Sequence, residues 1–307
     1  MEKKCTSVPL ADLGALRVRG PDVVPFLQGQ LSNDVALLTP EHSVFAGYHN
    51  PQGRVIGLLR LLQLEHNDLL AILPRELGPV VASRLSKFIV RAKVTIADES
   101  ASWRVSGLTA LPPMASAWSA FPQAVSAQAR VGNSIVVRVG DNPPRWLVIS
   151  TADQGSAVTD CTPGDRESWR RLEVAAGHPD VYGATTEQFV AQMLNLDVLG
   201  AIAFDKGCYT GQEVIARAHY RGRVKRRLQR FASRGPLRLR PSDSGQLSDG
   251  RAFKVVEAVQ LADGRCEFLA VAPLVAGEPE TRDAPGPAPD TALIEAEQLA
   301  LPYTLPD

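Results

Sequence analysis

Along this chain the apolar residues recur in two rhythms, every second position in some stretches and every third or fourth in others, and their alternation predicts a mixture of strands and helices. Residues 10–18 read as a strand. Pro21 then opens a short helix through Val23, Val24, Phe26 and Leu27, and residues 28–35 follow as a polar-rich continuation. Apolar runs at 44–48 and 54–64 flank Asn50, Pro51, Gln52 and Gly53, whose turn chemistry predicts a hairpin. His66, Asn67 and Asp68 turn the chain again into 69–73. Pro74 starts a predicted helix to Phe88 with Leu77, Val80, Val81 and Leu85 at helical spacing, and a strand follows at 92–97. Strands at 103–108, 134–139 and 145–150 surround a helix around 115–120. A helix covers 166–176, a polar and apolar mixture fills 189–196, and a last helix runs from Gly211 through Arg217. Beyond it short strands alternate with turns at 233–236, 242–245 and 263–264, the pattern of a small all-β barrel. The proline-rich stretch 278–289 is expected to be a mobile loop before a strand near 292–295. The order of elements predicts an α+β protein of two or three domains, without internal repeats.

Composition narrows this only a little. With 45% hydrophobic and 21% charged residues the chain is ordinary for a globular protein. Thirty-three basic and thirty-three acidic side chains cancel, so no overall field recruits nucleic acid or an anionic membrane, and any electrostatic partner must be recognised locally. No run approaches the length of a membrane span, residues 1–19 lack a continuous signal-peptide core, and the expected compartment is the cytoplasm. Cys5, Cys161, Cys208 and Cys266 are far apart, with no paired spacing for zinc, and are expected to stay reduced.

The densest chemistry lies in Lys206, Gly207, Cys208, Tyr209, Thr210, Gly211, Gln212 and Glu213. One thiol stands beside a cation and just ahead of a helix start, a setting that stabilises a thiolate. Thr210 and Glu213 have the spacing of a capping box. A small buried cysteine before a well-capped helix explains the local pattern about equally well.

This octet, together with Gln28 to Val35, Gln192 to Leu196 with Asn195, and the closing Leu301, Pro302 and Tyr303, resembles the YgfZ family of folate-binding proteins, relatives of the T protein of the glycine cleavage system. The resemblance runs in order through nearly the whole chain. It implies a T-protein-like, three-part cloverleaf around a folate channel, with a folate-binding domain at 1–45 and 145–220, a ferredoxin-like domain at 46–144 and a C-terminal β-barrel at 221–307. It also implies a tetrahydrofolate or a derivative, polyglutamylated forms included, as cofactor. The implied role lies in assembly or repair of iron–sulfur enzymes, including the radical enzyme that methylthiolates tRNA, with client enzymes or cluster carriers as partners and a cluster bound transiently if at all.

Carried over by position, Cys208 and Lys206 are the reactive pair, and Trp169 offers an indole face to the folate. Gln30, Asn33, Asp34, Asn195, Gln212, Glu213 and Arg223 are further folate-binding candidates. For Asn33 and Asp34 a plain turn or cap is at least as good a reading. A second family tryptophan is Leu13 here, and a glutamate two residues before Gly177 is Ala175. The neighbourhood of Pro74 lacks the aspartate on which the T protein relies, so aminomethyl transfer ranks below the accessory role. No complete metal site is visible. The basic run from Arg217 to Arg240, acid-free between Glu213 and Asp243, suits solvated faces or a polyglutamate tail better than direct tRNA binding.

Overall fold

A computed structural model describes residues 5–110, 118, 120–154, 158, 160–222, 224–275 and 293–306. In chain order the first elements are β1 (Cys5–Pro9), β2 (Leu13–Arg19), α1 (Val23–Gln28), β3 (Val44–His49), β4 (Val55–Glu65), β5 (Asp68–Pro74), α2 (Gly78–Ser86) and β6 (Thr95–Asp98). Then follow β7 (Trp103–Ala110), β8 (Gln128–Val131), β9 (Ser134–Asp141), β10 (Pro144–Thr151), β11 (Thr162–Pro163), α3 (Arg166–Ala175) and α4 (Gln212–Tyr220). The last strands are β12 (Arg226–Ser233), β13 (Ser244–Leu247), β14 (Ala252–Gln260), β15 (Cys266–Pro273), β16 (Leu293–Ile294) and β17 (Ala296–Leu299). The expected mixed α+β architecture is present. The chain separates into two units, one formed by Met1–His49, Ile56–Trp169 and Ala201–Thr210, the other by Asn50–Val55, Arg170–Gly200 and Gly211–Asp307.

The first unit contains two sheets, ordered β11-β1-β7-β10-β9-β8 and β3-β4-β5-β2-β6. The two-residue period explains why both are needed. Along β10, Leu147 and Ile149 enter one apolar cluster with Ala15, Leu70 and Ile72 of the other sheet, whereas Trp146 and Val148 enter a second cluster with Leu108 and Phe121. Trp146 is fully buried; its indole N–H donates to the Pro122 carbonyl at 2.8 Å, and the Arg138 guanidinium sits 4.4 Å over its ring. The α2 helix lies on the second sheet's unit through Leu77, Val81 and Leu85 at four-residue spacing. Val80, expected on the apolar side, is off that line and 41% exposed.

The second unit is dominated by a six-stranded, barrel-shaped sheet, β16-β13-β14-β15-β12-β17, closed over Phe231, Phe253 and Phe268. Phe231 and Phe268 stack at 5.4 Å, and a register shift between Val255 and Glu257 bends β14, as a bulge does. Two expected elements, the helix around 115–120 and the loop at 278–289, fall wholly or largely outside the described residues.

The expectation of four reduced cysteines is corrected. Cys5 and Cys161 form a disulfide. The two are 156 positions apart, so spacing hides the pair; the parallel register that sets Thr6 beside Thr162 brings their Cα atoms to 4.8 Å. Cys266 is buried and free, and Cys208 is exposed and free. Adding reductant, or replacing Cys161 by Ser, is expected to lower stability by about 2–4 kcal/mol. Thermal unfolding with and without reductant checks this, and the Cys5→Ser/Cys161→Ser double variant should be insensitive to reductant.

Candidate functional site

Polar residues that the apolar rhythm leaves over converge where the end of α1 meets the segment carrying Cys208. The carbonyls leaving α1 have no helical partners, as at every helix end. Here a cation takes them: Lys206 Nζ donates to the carbonyls of Gln28 at 2.8 Å, Leu31 at 2.7 Å and Asn33 at 2.8 Å. An ammonium has three donors, and all are engaged. The same nitrogen lies 5.1 Å over the Tyr209 ring, which is buried and packs 6.4 Å from the His49 ring. Ser32 completes the attachment. Its hydroxyl donates to the Ala201 carbonyl at 2.7 Å and accepts from the Gly47 N–H at 2.9 Å, while its carbonyl accepts from the Ala203 N–H at 2.9 Å.

Burial pushes the Lys206 ammonium down to about 8, and the neighbouring Asp34 carboxylate opposes the shift. Through its three bonds Lys206 ties the backbone just before Cys208 to the loop after α1. The thiol itself, two residues on, is exposed on that clamped segment.

The other expected ligands divide sharply. Asn33 and Asp34 serve their own loop: Asn33 donates to the Phe45 carbonyl at 2.7 Å and accepts from the Asp34 N–H at 2.9 Å, and Asp34 accepts from Gln28 Nε2 at 2.8 Å and the Ala36 N–H at 3.0 Å. Gln28 Oε1 accepts from the Val35 N–H, closing the network. Gln30 differs: its Oε1 is buried with no protein partner among the described residues. Trp169 is 4% exposed, and Gly107 presses its backbone so close that an added Cβ would sit 2.3 Å from the ring, so one indole face is shut by β7.

Three candidates belong to the second unit. Asn195, fully buried with φ +56°, donates to the Leu228 carbonyl at 3.0 Å and Tyr303 Oη at 3.2 Å and accepts from Arg227 at 3.4 Å. Tyr303 in turn donates to the Gly177 carbonyl at 2.7 Å, and burial pushes its phenol up to about 12. This is a structural hub joining the closing Leu-Pro-Tyr motif to the turn after α3. Gln212 begins α4, and Glu213 is exposed and pairs with Arg217 at 3.0 Å. The capping box is not formed. The helix is preceded by Gly211 at φ +84°, with no side-chain cap, because the backbone passes so near Asn50 that a Cβ would lie 2.5 Å from its carbonyl oxygen. Arg223 lies outside the described residues.

Sequence reading overlooked Ser32, whose full burial beside Gly47 has no signature beyond its place in a polar run, and the ion pair of Arg227 with Asp197 at 2.9 Å. Among the described residues no group of three or more His, Cys, Asp or Glu is placed to hold a metal.

The chain is 31% identical to the tRNA-modifying protein YgfZ of Cronobacter sakazakii over 272 residues, covering 85% of this chain and 82% of that one. The YgfZ of Klebsiella pneumoniae is 33% identical over 275 residues, covering 85% and 83%. The chain belongs to the YgfZ family of tRNA-modifying proteins. No family model matches it. Its fold is that of the glycine cleavage system aminomethyltransferase T from Bartonella henselae, which it matches with a TM-score of 0.68 at 15% identity over 89% of this chain and 79% of the other. The likeness of this YgfZ homologue to the T protein is thus one of fold. Among the described residues no helix is long and apolar enough to cross a membrane.

Lys206 should titrate with a midpoint near 8 rather than the ordinary 10.5, visible in side-chain NMR. The folded chain releases this proton before the unfolded chain does, so this group makes stability rise as pH climbs from about 8 towards 10.5. Lys206→Met, which leaves three carbonyls without their donor, is expected to cost about 1–3 kcal/mol in denaturant unfolding near neutral pH.

Proposed function

We propose that this chain is a folate-binding accessory protein that supports assembly or repair of iron–sulfur enzymes, those that methylthiolate tRNA among them, with Cys208 as its working group. The observation that carries this reading is an exposed thiol on a segment clamped to the polar loop after α1 by Lys206 and Ser32. A free, accessible sulfur suits a nucleophile towards a one-carbon adduct or a passing ligand to iron. The curated relatives, named as tRNA-modifying proteins, give the pathway its direction.

The residues present suit a folate. Gln30 keeps a buried oxygen without a protein partner on the loop tied to the Cys208 segment, and an acceptor of that kind fits the N–H edge of a pterin. Asn33 and Asp34 hold that loop in shape. Trp169 contributes stacking only if its covered ring is opened. Tetrahydrofolate, when bound, supplies a carrier for one-carbon units; the protein's part is to hold its pterin edge and keep the sulfur in place.

In cells lacking the protein, Cys208→Ala and Cys208→Ser are each expected to leave tRNA methylthiolation at the level of the deletion, and full rescue by both would remove the proposed role. The purified Cys208→Ala protein should still bind tetrahydrofolate, while Gln30→Ala should bind it about tenfold more weakly by titration calorimetry. Turnover of a folate one-carbon donor by the purified protein alone would move the reading to a transferase.

A further inference from the structure

We infer that the loop between α2 and β6 is a docking site for unpaired RNA. From Leu77 to Ala97 the chain carries Arg84, Lys87, Arg91 and Lys93 and not one acidic residue. At the centre of this cationic run Phe88 is 48% exposed and Val90 83%. Exposed apolar side chains framed by cations fit a partner that is anionic along its backbone and flat and apolar between the charges. Single-stranded nucleic acid has both properties: aromatic rings stack on its bases, and lysine and arginine take its phosphates.

The loop is held out by its ends. Leu85 and Val94 are buried on either side. The N–H groups of Lys87, Phe88, Ile89 and Val90 donate to the carbonyls of Arg84, Leu85, Ser86 and Phe88, giving successive tight turns. At the far end the Lys93 N–H donates to the Asp22 carboxylate at 2.7 Å, and the Lys93 carbonyl lies so near Gly20, at φ +135°, that a Cβ there would meet it at 2.0 Å. A segment fixed in this way loses little freedom on binding, which favours association.

A hollow of about 600 Å³ continues from the loop, lined by Lys93, Ala92, Arg19, Asn67 and Asp68 among others, and of a size to receive a nucleotide. The acids nearby are already engaged. Asp68 is held by both arms of Arg17 at 2.8 and 2.6 Å, Glu99 faces Arg17 and Arg19 at 3.4 and 3.3 Å, and Asp22 binds the Lys93 N–H. The charges of Asp68 and Glu99 are thus balanced by Arg17 and Arg19, while Asp22, bonded to a backbone N–H, keeps its charge at the Lys93 end, which leaves Lys87 and Arg91 as the main phosphate contacts. Two exposed apolar side chains are too few to anchor the loop in a bilayer.

In the C-terminal sheet the arginines of β12 are taken up by the fold, Arg226 donating to the Ala252 carbonyl, Arg227 pairing with Asp197 and Arg230 with Glu267, whereas Arg234, Arg238 and Arg240 beyond it are exposed. The α2–β6 loop differs from Arg234, Arg238 and Arg240 in setting its cations around an exposed aromatic ring, Phe88, where Phe231 is buried. The site is independent of the folate reading.

The test uses the full-length protein, a fluorescently labelled short single-stranded RNA and a tRNA transcript at a series of salt concentrations, with anionic phospholipid vesicles as a parallel probe. Three phosphate contacts give a slope of log affinity against log salt of about −2, and Lys87→Glu/Arg91→Glu should reduce it to about −0.7. Phe88→Ala should weaken binding about tenfold with an unchanged slope. Matching unfolding temperatures show that the variants are folded. Binding without salt dependence, an Phe88→Ala protein that binds as tightly as the parent, loss of binding in Arg238→Glu/Arg240→Glu instead, or stronger retention by vesicles than by RNA would each overturn the inference. Tetrahydrofolate affinity, measured on the same variants, should not move, which separates failure here from failure of the folate and Cys208 reading.

Discussion

One buried ammonium organises the candidate site. Lys206 takes the three carbonyls that the chain leaves open as it exits α1, and Ser32 adds four further bonds to residues 47, 201 and 203. The loop bearing Gln30 and the segment bearing Cys208 are in this way one hydrogen-bonded body. Replacing three hydrated carbonyls by three short, charge-assisted bonds repays much of the desolvation of the lysine, whose proton affinity still falls on burial. Placing the thiol beside a cation in sequence turned out to place it on a cation-built scaffold.

Much of the fold was legible. The strands from residue 10 to 73, β9, β10 and α3 were visible as periodic apolar runs, because each has one or two faces pressed on a core. Short elements were not. β1 holds its place through β7 and β11 rather than through a strong pattern of its own, and Cys5 and Cys161 become neighbours only through that pairing. At the site Cys208 is free and exposed, whereas the Thr210 capping box yielded to Gly211. Local propensity argued for the cap; a backbone approach to Asn50 from far away in sequence decided otherwise. Asn33 and Asp34 illustrate the usual ambiguity of Asx residues, whose side chains satisfy nearby N–H groups as readily as a ligand.

Charge shows the same dependence on tertiary context. The zero formal charge of the chain conceals different fates for its basic side chains. Arginines in β12 are drawn inside, where a fork of five donors can satisfy carbonyls and a carboxylate together, as Arg227 does with Gln192 and Asp197. The cations after α2 remain outside around an exposed phenylalanine. Counting basic residues along a sequence therefore does not tell which of them the fold leaves available.

The interleaving of the two units reaches back to the ribosome. Asn50 belongs to the second unit and bonds Glu187, 137 residues further along. At roughly 5–20 residues per second, that partner emerges on the order of ten seconds after Asn50 has left the exit tunnel. The newborn turn at 50–55 must wait without its pairing edge while the surrounding strands are already able to collapse, so the nascent chain passes through an obligatory half-built stage that no rearrangement of its ends could shorten.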